Sequence, residues 1–159
     1  MRFLEIGCGT GRNLPQLLKT KGQVYAVDCD FDAVSTAHSL VEGNIFFSVA
    51  RAELLPFGNA AFDEIHCIDV LHWSSDALQF ESMWNDSWRV LRPEGIFQAR
   101  MRCAQSARVS VQGAVQWFLP DLPLLEGLAA KSNAEWVQAC EIKPGSDAVD
   151  EATMILRKK

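Results

Sequence analysis

Three glycines at every second position, in Glu5-Ile6-Gly7-Cys8-Gly9-Thr10-Gly11-Arg12-Asn13, are the residues best suited to cupping a bound molecule. With no Cβ at 7, 9 and 11 the backbone can turn sharply, and a flat ligand can approach the main chain itself. A helical pattern opens near Arg12, so the free N–H groups of that helix are expected to face the same space and to suit a carboxylate. A lone glycine triplet has a plain alternative, a strand-to-helix turn with extra glycine. The five cysteines, at 8, 29, 67, 103 and 140, are odd in number and evenly spread. They show neither paired metal-ligand spacing nor a disulfide framework, and are expected to be reduced thiols, with no metal site.

The elements around the loop decide between the two readings. Residues 2–6 form a short apolar run that fits a strand within a covered sheet. Leu14, Leu17 and Leu18 recur at helical spacing, with Pro15 in the first turn and Gly22 past the end. Residues 23–27 are a second strand that stops at Asp28. Asp30 then caps a helix patterned by Ala33, Val34, Ala37 and Leu40. A third strand over 44–49 and a fourth over 62–68 flank the turn cluster Pro56-Phe57-Gly58-Asn59. Asp76, with Gln79 three residues on, opens a helix whose apolar face carries Ala77, Phe80, Trp84, Trp88 and Leu91 and which ends at Pro93. Residues 95–101 are a fifth strand. Residues 102–118 are polar with scattered valines and read as a loop or an irregular wall. A short helix is expected over 121–131, with closing strands over 135–140 and 152–156 joined by a turn at 143–147. Alternating strands and helices with short links imply a parallel sheet with its ligand at the carboxyl edge.

A chain of 159 residues is one domain with one core. The net charge of −5, with no long basic stripe, argues against nucleic acid as the main partner. No apolar run approaches the roughly 18 residues of a membrane span, and no signal-type segment opens the chain, so no membrane association and a cytoplasmic location are expected.

Taken in order, Leu4-Glu5-Ile6-Gly7-Cys8-Gly9-Thr10-Gly11, Val27-Asp28, Ala52-Glu53-Leu54-Leu55-Pro56-Phe57, Phe62-Asp63, Leu71-His72 and Arg89-Val90-Leu91-Arg92-Pro93-Glu94-Gly95 resemble the class I S-adenosylmethionine-dependent methyltransferases. The likeness is to the small-molecule type often called type 11, closely over residues 2–101 and by order of elements over 119–157. It implies an α/β, Rossmann-like, seven-stranded and mostly parallel sheet in the order 3-2-1-4-5-7-6, with the last strand antiparallel and helices on both faces. It also implies S-adenosylmethionine as cofactor and a small-molecule methyl acceptor as partner. The implied cofactor-binding residues are Glu5, Gly7, Cys8, Gly9 and Asn13 around the loop, Asp28 and Cys29 at the ribose, Arg51, Ala52 and Glu53 at the adenine, and Ile68 and His72 beyond the fourth strand. His72 and Trp73 are expected to face the methyl-bearing side, where His72 or Asp69 could orient or deprotonate the acceptor. No catalytic residue is assigned.

Arg51 departs from the family, which places aspartate or asparagine there; arginine has no acceptor for the adenine amino group. It either lies flat over the adenine or points to solvent, and Glu53 is either its partner or a solvated turn residue. Met1 stands immediately before the first expected strand, where the family carries one or two helices that roof the site. Residues 1–159 are thus expected to be a single methyltransferase domain lacking those helices, the chain being a shortened one, or its site being open, or roofed by a second subunit in a homodimer. A catalytically silent cofactor-binding or partner-binding module is the alternative reading. A nicotinamide dehydrogenase is disfavoured, because its fingerprint wants the third glycine after a longer gap and position 12 is arginine.

Overall fold

The computed structural model describes residues 1–145 and 149–159. In the first half β1 (Arg2–Ile6), α1 (Leu14–Leu17), β2 (Gln23–Asp28), α2 (Phe31–Leu40), β3 (Ile45–Val49) and β4 (Phe62–Ile68) alternate. After a 3-10 turn, Leu71–Trp73, come α3 (Ala77–Val90), β5 (Leu91–Cys103), β6 (Arg108–Gln112), β7 (Val115–Leu119), α4 (Leu122–Lys131), β8 (Ala134–Lys143) and β9 (Asp150–Lys158). The main sheet runs β3-β2-β1-β4-β5-β9-β8, with β9 antiparallel to both neighbours, and β6 and β7 pair apart from it. Without that hairpin the order is the expected 3-2-1-4-5-7-6.

Caps and period explain most boundaries. The Asp30 carboxylate accepts from the N–H groups of Asp32 and Ala33, the Asp76 carboxylate from Gln79, and the Asp121 carboxylate from Leu124. Along β5 and β9 the apolar residues alternate, so Phe97, Ala99, Met101, Met154 and Leu156 form one buried face against Phe80 and Trp84 of α3 and Leu125 and Leu128 of α4. On the opposite face Leu14 and Leu17 of α1 and Val34 and Ala37 of α2 cover Val24 and Ala26 of β2. Farther along that face, Glu64, His66, Gln98 and Thr153 are half-buried, and the Glu64 carboxylate binds both His66 Nε2 (2.8 Å) and Gln98 Nε2 (2.7 Å).

Four expectations are corrected. The first helix is a single turn, because bonds of the tighter i→i+3 kind, Lys19 N–H to Gln16 O and Thr20 N–H to Leu17 O, take over after Leu17. Its cap residue Asn13 donates to Glu5 instead of capping, so no dipole of consequence aims at the ligand space. The helix expected to reach Pro93 stops at Val90: Leu91 already pairs with Phe62, and the register then jumps to Glu64 against Ile96 through Glu94 with φ +62°. Residues 102–118, read as a wall of the site or a loop, contain a β-hairpin. Gln112 pairs with Val115 around a two-residue turn whose Gly113 has φ +62°. The hairpin is docked, with Phe118 N–H donating to Ser74 O and Gln116 Nε2 to Ser75 O. Of the turn expected at 143–147, Ser146 and Asp147 lie outside the described residues.

Candidate functional site

A cavity of about 990 Å³ opens at the carboxyl ends of β1, β2 and β4, walled by the glycine loop, by 28–30, by 50–53 and by the chain leaving β4. The three loop glycines are small for different reasons. A Cβ on Gly7 would stand 2.1 Å from Val70 Cγ2, and one on Gly11 2.6 Å from Val41 Cγ2, so both permit close packing. A Cβ on Gly9 would meet nothing within 4 Å, and Gly9 lines the cavity, so its bare Cα is the surface shown to a ligand. The loop is pinned underneath by the N–H groups of Gly7 and Cys8, which both donate to Val27 O.

Asp28 braces this loop from the end of β2. Its Oδ2 accepts from Gly9 N–H at 2.8 Å and its Oδ1 from Asp30 N–H at 3.0 Å. A carboxylate offers about four acceptor sites, so each oxygen keeps capacity for a ligand hydroxyl. Below the loop Glu5 is wholly buried; its Oε1 accepts from Asn13 Nδ2 at 2.9 Å, while Oε2 has no partner. Burial pushes its carboxyl up to about 7, against the opposing pull of the Asn13 hydrogen bond and the His66 charge. Glu5 is therefore a support behind the wall, whereas Gly7, Cys8, Gly9, Asn13, Asp28, Cys29, Arg51, Ala52, Glu53 and Ile68 all reach the lining. The Cys8 thiol is pushed up to about 12, first by burial and then by the charges of Asp28 and Glu5. It remains protonated and serves packing, not nucleophilic attack.

Arg51 resolves in favour of a partner: its Nε donates to Glu53 Oε1 at 2.7 Å, and the same oxygen accepts from Gln79 Nε2 at 3.0 Å. Burial pushes the Glu53 carboxyl up, but hydrogen bonds from its own backbone, Arg51 and Gln79 outweigh this and hold it below the usual range. Glu53 thus ties the segment after β3 to the first turn of α3.

Like Glu5, His72 belongs to the expected set but stands off the lining. It is 3% exposed, its Nδ1 accepting the Arg102 N–H at 3.3 Å. The ring centroids of His72 and Trp73 lie 5.8 Å apart, yet Trp73 lines the cavity while His72 faces β5. Burial, aided by the Arg102 charge, lowers its pKa to about 4, so it is neutral at pH 7. Asp69, Trp73 and Arg100 instead form the wall beyond β4. Arg100 and Gln79 escape the sequence as site residues: no local motif marks Arg100, and Gln79 reads only as the capping partner of Asp76, its contact with Glu53 arising from helix packing. Among the described residues no group of three or more His, Cys, Asp or Glu could hold a metal ion. No helix among them is long and apolar enough to cross a membrane.

The family model described as a methyltransferase domain matches residues 4–99. An uncharacterized methyltransferase of Synechocystis sp. is 30% identical over 128 residues, covering 80% of this chain and 55% of that protein. The chain spans about half or less of the length of the curated relatives it matches. Among solved structures, an S-adenosylmethionine-dependent methyltransferase of Methanosarcina mazei superposes with a TM-score of 0.83 at 17% identity, covering 99% of this chain and 92% of that one. The Burkholderia thailandensis 1,6-didemethyltoxoflavin-N1-methyltransferase, solved with 1,6-didemethyltoxoflavin and S-adenosylhomocysteine bound, gives 0.80 at 22% identity, with 99% and 71% covered. A family model over most of the chain, a glycine loop braced by the acid of β2, and the sheet order 3-2-1-4-5-7-6 agree, and the chain belongs to the class I S-adenosylmethionine-dependent methyltransferases.

Proposed function

We propose that the cavity binds S-adenosylmethionine and that the protein transfers its methyl group to a small-molecule acceptor in the cytoplasm. The observation that carries this reading is the contact between Gly9 N–H and Asp28 Oδ2 at 2.8 Å, which places a bare backbone surface and a carboxylate side by side in one void. The donor set suits the molecule. Glu5, behind the lining, keeps a buried oxygen without a partner, which would reach a ligand's ammonium through water. Gly7, Cys8, Gly9 and Asn13 would hold the amino-acid end, Asp28 and Cys29 the ribose, and Ala52 and Glu53 the adenine, with Ile68 beside the sulfur. Arg51, anchored to Glu53, would meet the adenine with its donors or its flat face. Further support is the Burkholderia neighbour, which holds S-adenosylhomocysteine and a small molecule together.

When bound, this cofactor supplies an electrophilic methyl on a sulfonium, which leaves as a neutral thioether. An acceptor seated against the wall beyond β4 would take that methyl as the carbon–sulfur bond breaks, and any proton it loses would go to water. The protein's contribution is positioning, which suits a site whose His72 is sealed away and whose Cys8 is protonated.

Calorimetric titration with S-adenosylhomocysteine tests the reading. Asp28→Ala is expected to weaken binding by about 1.5–3 kcal/mol, roughly ten- to 150-fold. Unchanged affinity in the folded variant removes Asp28 from the site. Transfer of labelled methyl across a panel of small acceptors then separates an enzyme from a cofactor-binding module.

A further inference from the structure

We infer that Asp69, Trp73 and Arg100 form the acceptor subsite of this cavity, and that it takes a flat aromatic ring bearing a hydroxyl. The word acceptor rests on the function proposed above; the chemistry of the subsite rests on these side chains. Trp73 is a large apolar group that lines the cavity and is still 56% exposed. It is not loose. Its Nε1–H donates to Asp69 O at 3.1 Å, and its ring meets the Trp117 ring edge-on with centroids 5.8 Å apart. An indole held at two points with open surface is a plate on which another ring stacks at little ordering cost.

Asp69 stands beside that plate with a left-handed backbone, φ +63°, as the chain turns out of β4. Its N–H donates to Arg100 O at 2.8 Å, its Oδ1 accepts from Arg100 Nε at 3.0 Å, and its Oδ2 accepts from Arg100 Nη2. Arg100 also lies 3.7 Å from Glu151. Two carboxylates around one guanidinium leave no surplus positive charge, so a carboxylate or phosphate on the acceptor would be repelled. A wholly apolar acceptor would strip water from Asp69 with nothing in return. A neutral hydroxyl suits both conditions, because Arg100 uses two of the roughly four acceptor sites of the carboxylate and the others face solvent, the side chain being 46% exposed. The competing account is a clamp that merely staples the ends of β4 and β5.

The experiment measures binding of 2-naphthol and of decahydro-2-naphthol, a saturated alcohol of similar size, by calorimetry on the protein with and without S-adenosylhomocysteine. 2-Naphthol is expected to bind at least about tenfold more tightly than the saturated probe. Trp73→Ala is expected to erase that preference and Trp73→Phe to restore most of it. Asp69→Asn, which tolerates the left-handed backbone, is expected to weaken 2-naphthol about fivefold and leave naphthalene unchanged. Equal binding of the two alcohols to the unaltered protein, or a full preference in Trp73→Ala, overturns the subsite. Failure of S-adenosylhomocysteine to bind counts against the cofactor reading alone, because the plate and the carboxylate exist without it.

Discussion

The half of the sheet formed by β4, β5 and β9 presents two faces of opposite character. Toward α3 and α4, Phe97, Ala99, Met101, Met154 and Leu156 are sealed against Phe80, Trp84 and Leu125. Toward the other side stand Glu64, His66, Gln98, Arg100 and Thr153, half-buried, with hydrogen bonds among Glu64, His66 and Gln98 in place of apolar contacts. Because strand side chains alternate, one set of residues holds the fold while its neighbours carry charge out to Arg100 at the cavity. The division lets the site's polar groups vary at small cost to the core.

Substitution on the sealed face should be the most damaging. Trp84 is fully buried, stacks on Trp88 and donates from Nε1 to Ser132 Oγ at 3.0 Å. Trp84→Ala is expected to destabilise by about 3–5 kcal/mol in denaturant unfolding. A loss under about 1 kcal/mol would erase the contrast between the faces.

Beside this face, on β1, Glu5 pairs with His66 in the strand register and is sealed, and pH isolates it. Its pKa is raised from 4.5 to about 7 in the folded protein, so folding binds a proton that the unfolded chain releases. The neutral acid costs nothing below pH 4.5; stability then falls as pH rises from 4.5 to about 7 and levels off above. The full loss is roughly 3 kcal/mol. Glu5→Gln keeps an acceptor for Asn13 without titrating, so urea unfolding at pH 5 and pH 8 should show the variant gaining on the parent at the higher pH. An equal difference at both values would place an ionised Glu5 in the fold.

Arg89 tests polar ties on the covered side, at the last turn of α3. It donates to Asp86, to Leu55 O and to Phe57 O, binding the segment after β3 to the helix. Arg89→Ala is expected to cost about 1.5–3 kcal/mol, read by the same unfolding measurement. The smallest effect belongs to the half-buried polar face: Gln98→Ala, which removes the hydrogen bond to Glu64, should cost about 0.5–1.5 kcal/mol. A cost near that of Trp84→Ala would mean that this face is covered in solution.

The strand order came with the resemblance to the family; the alternation of strands and helices, the caps at Asp30 and Asp76, and the glycine loop followed by Asp28 at the end of the second strand were legible in the residues alone. Each depends on period, on turn chemistry or on neighbouring parallel strands, and these act over short stretches of chain. Residues 102–118 were not legible as a hairpin, since Val109, Val111 and Val115 face solvent and blur the apolar alternation that marks a strand. Which of His72 and Trp73 enters the cavity was equally hidden. Both lie in one short turn, and contacts with Arg102 and Trp117, some 30 and 44 residues on, orient them. The pairing of Asp69 with Arg100 across two strand ends is of the same kind. Local pattern places a backbone; the direction of a side chain at a strand's end is set by what remote segments bring to meet it.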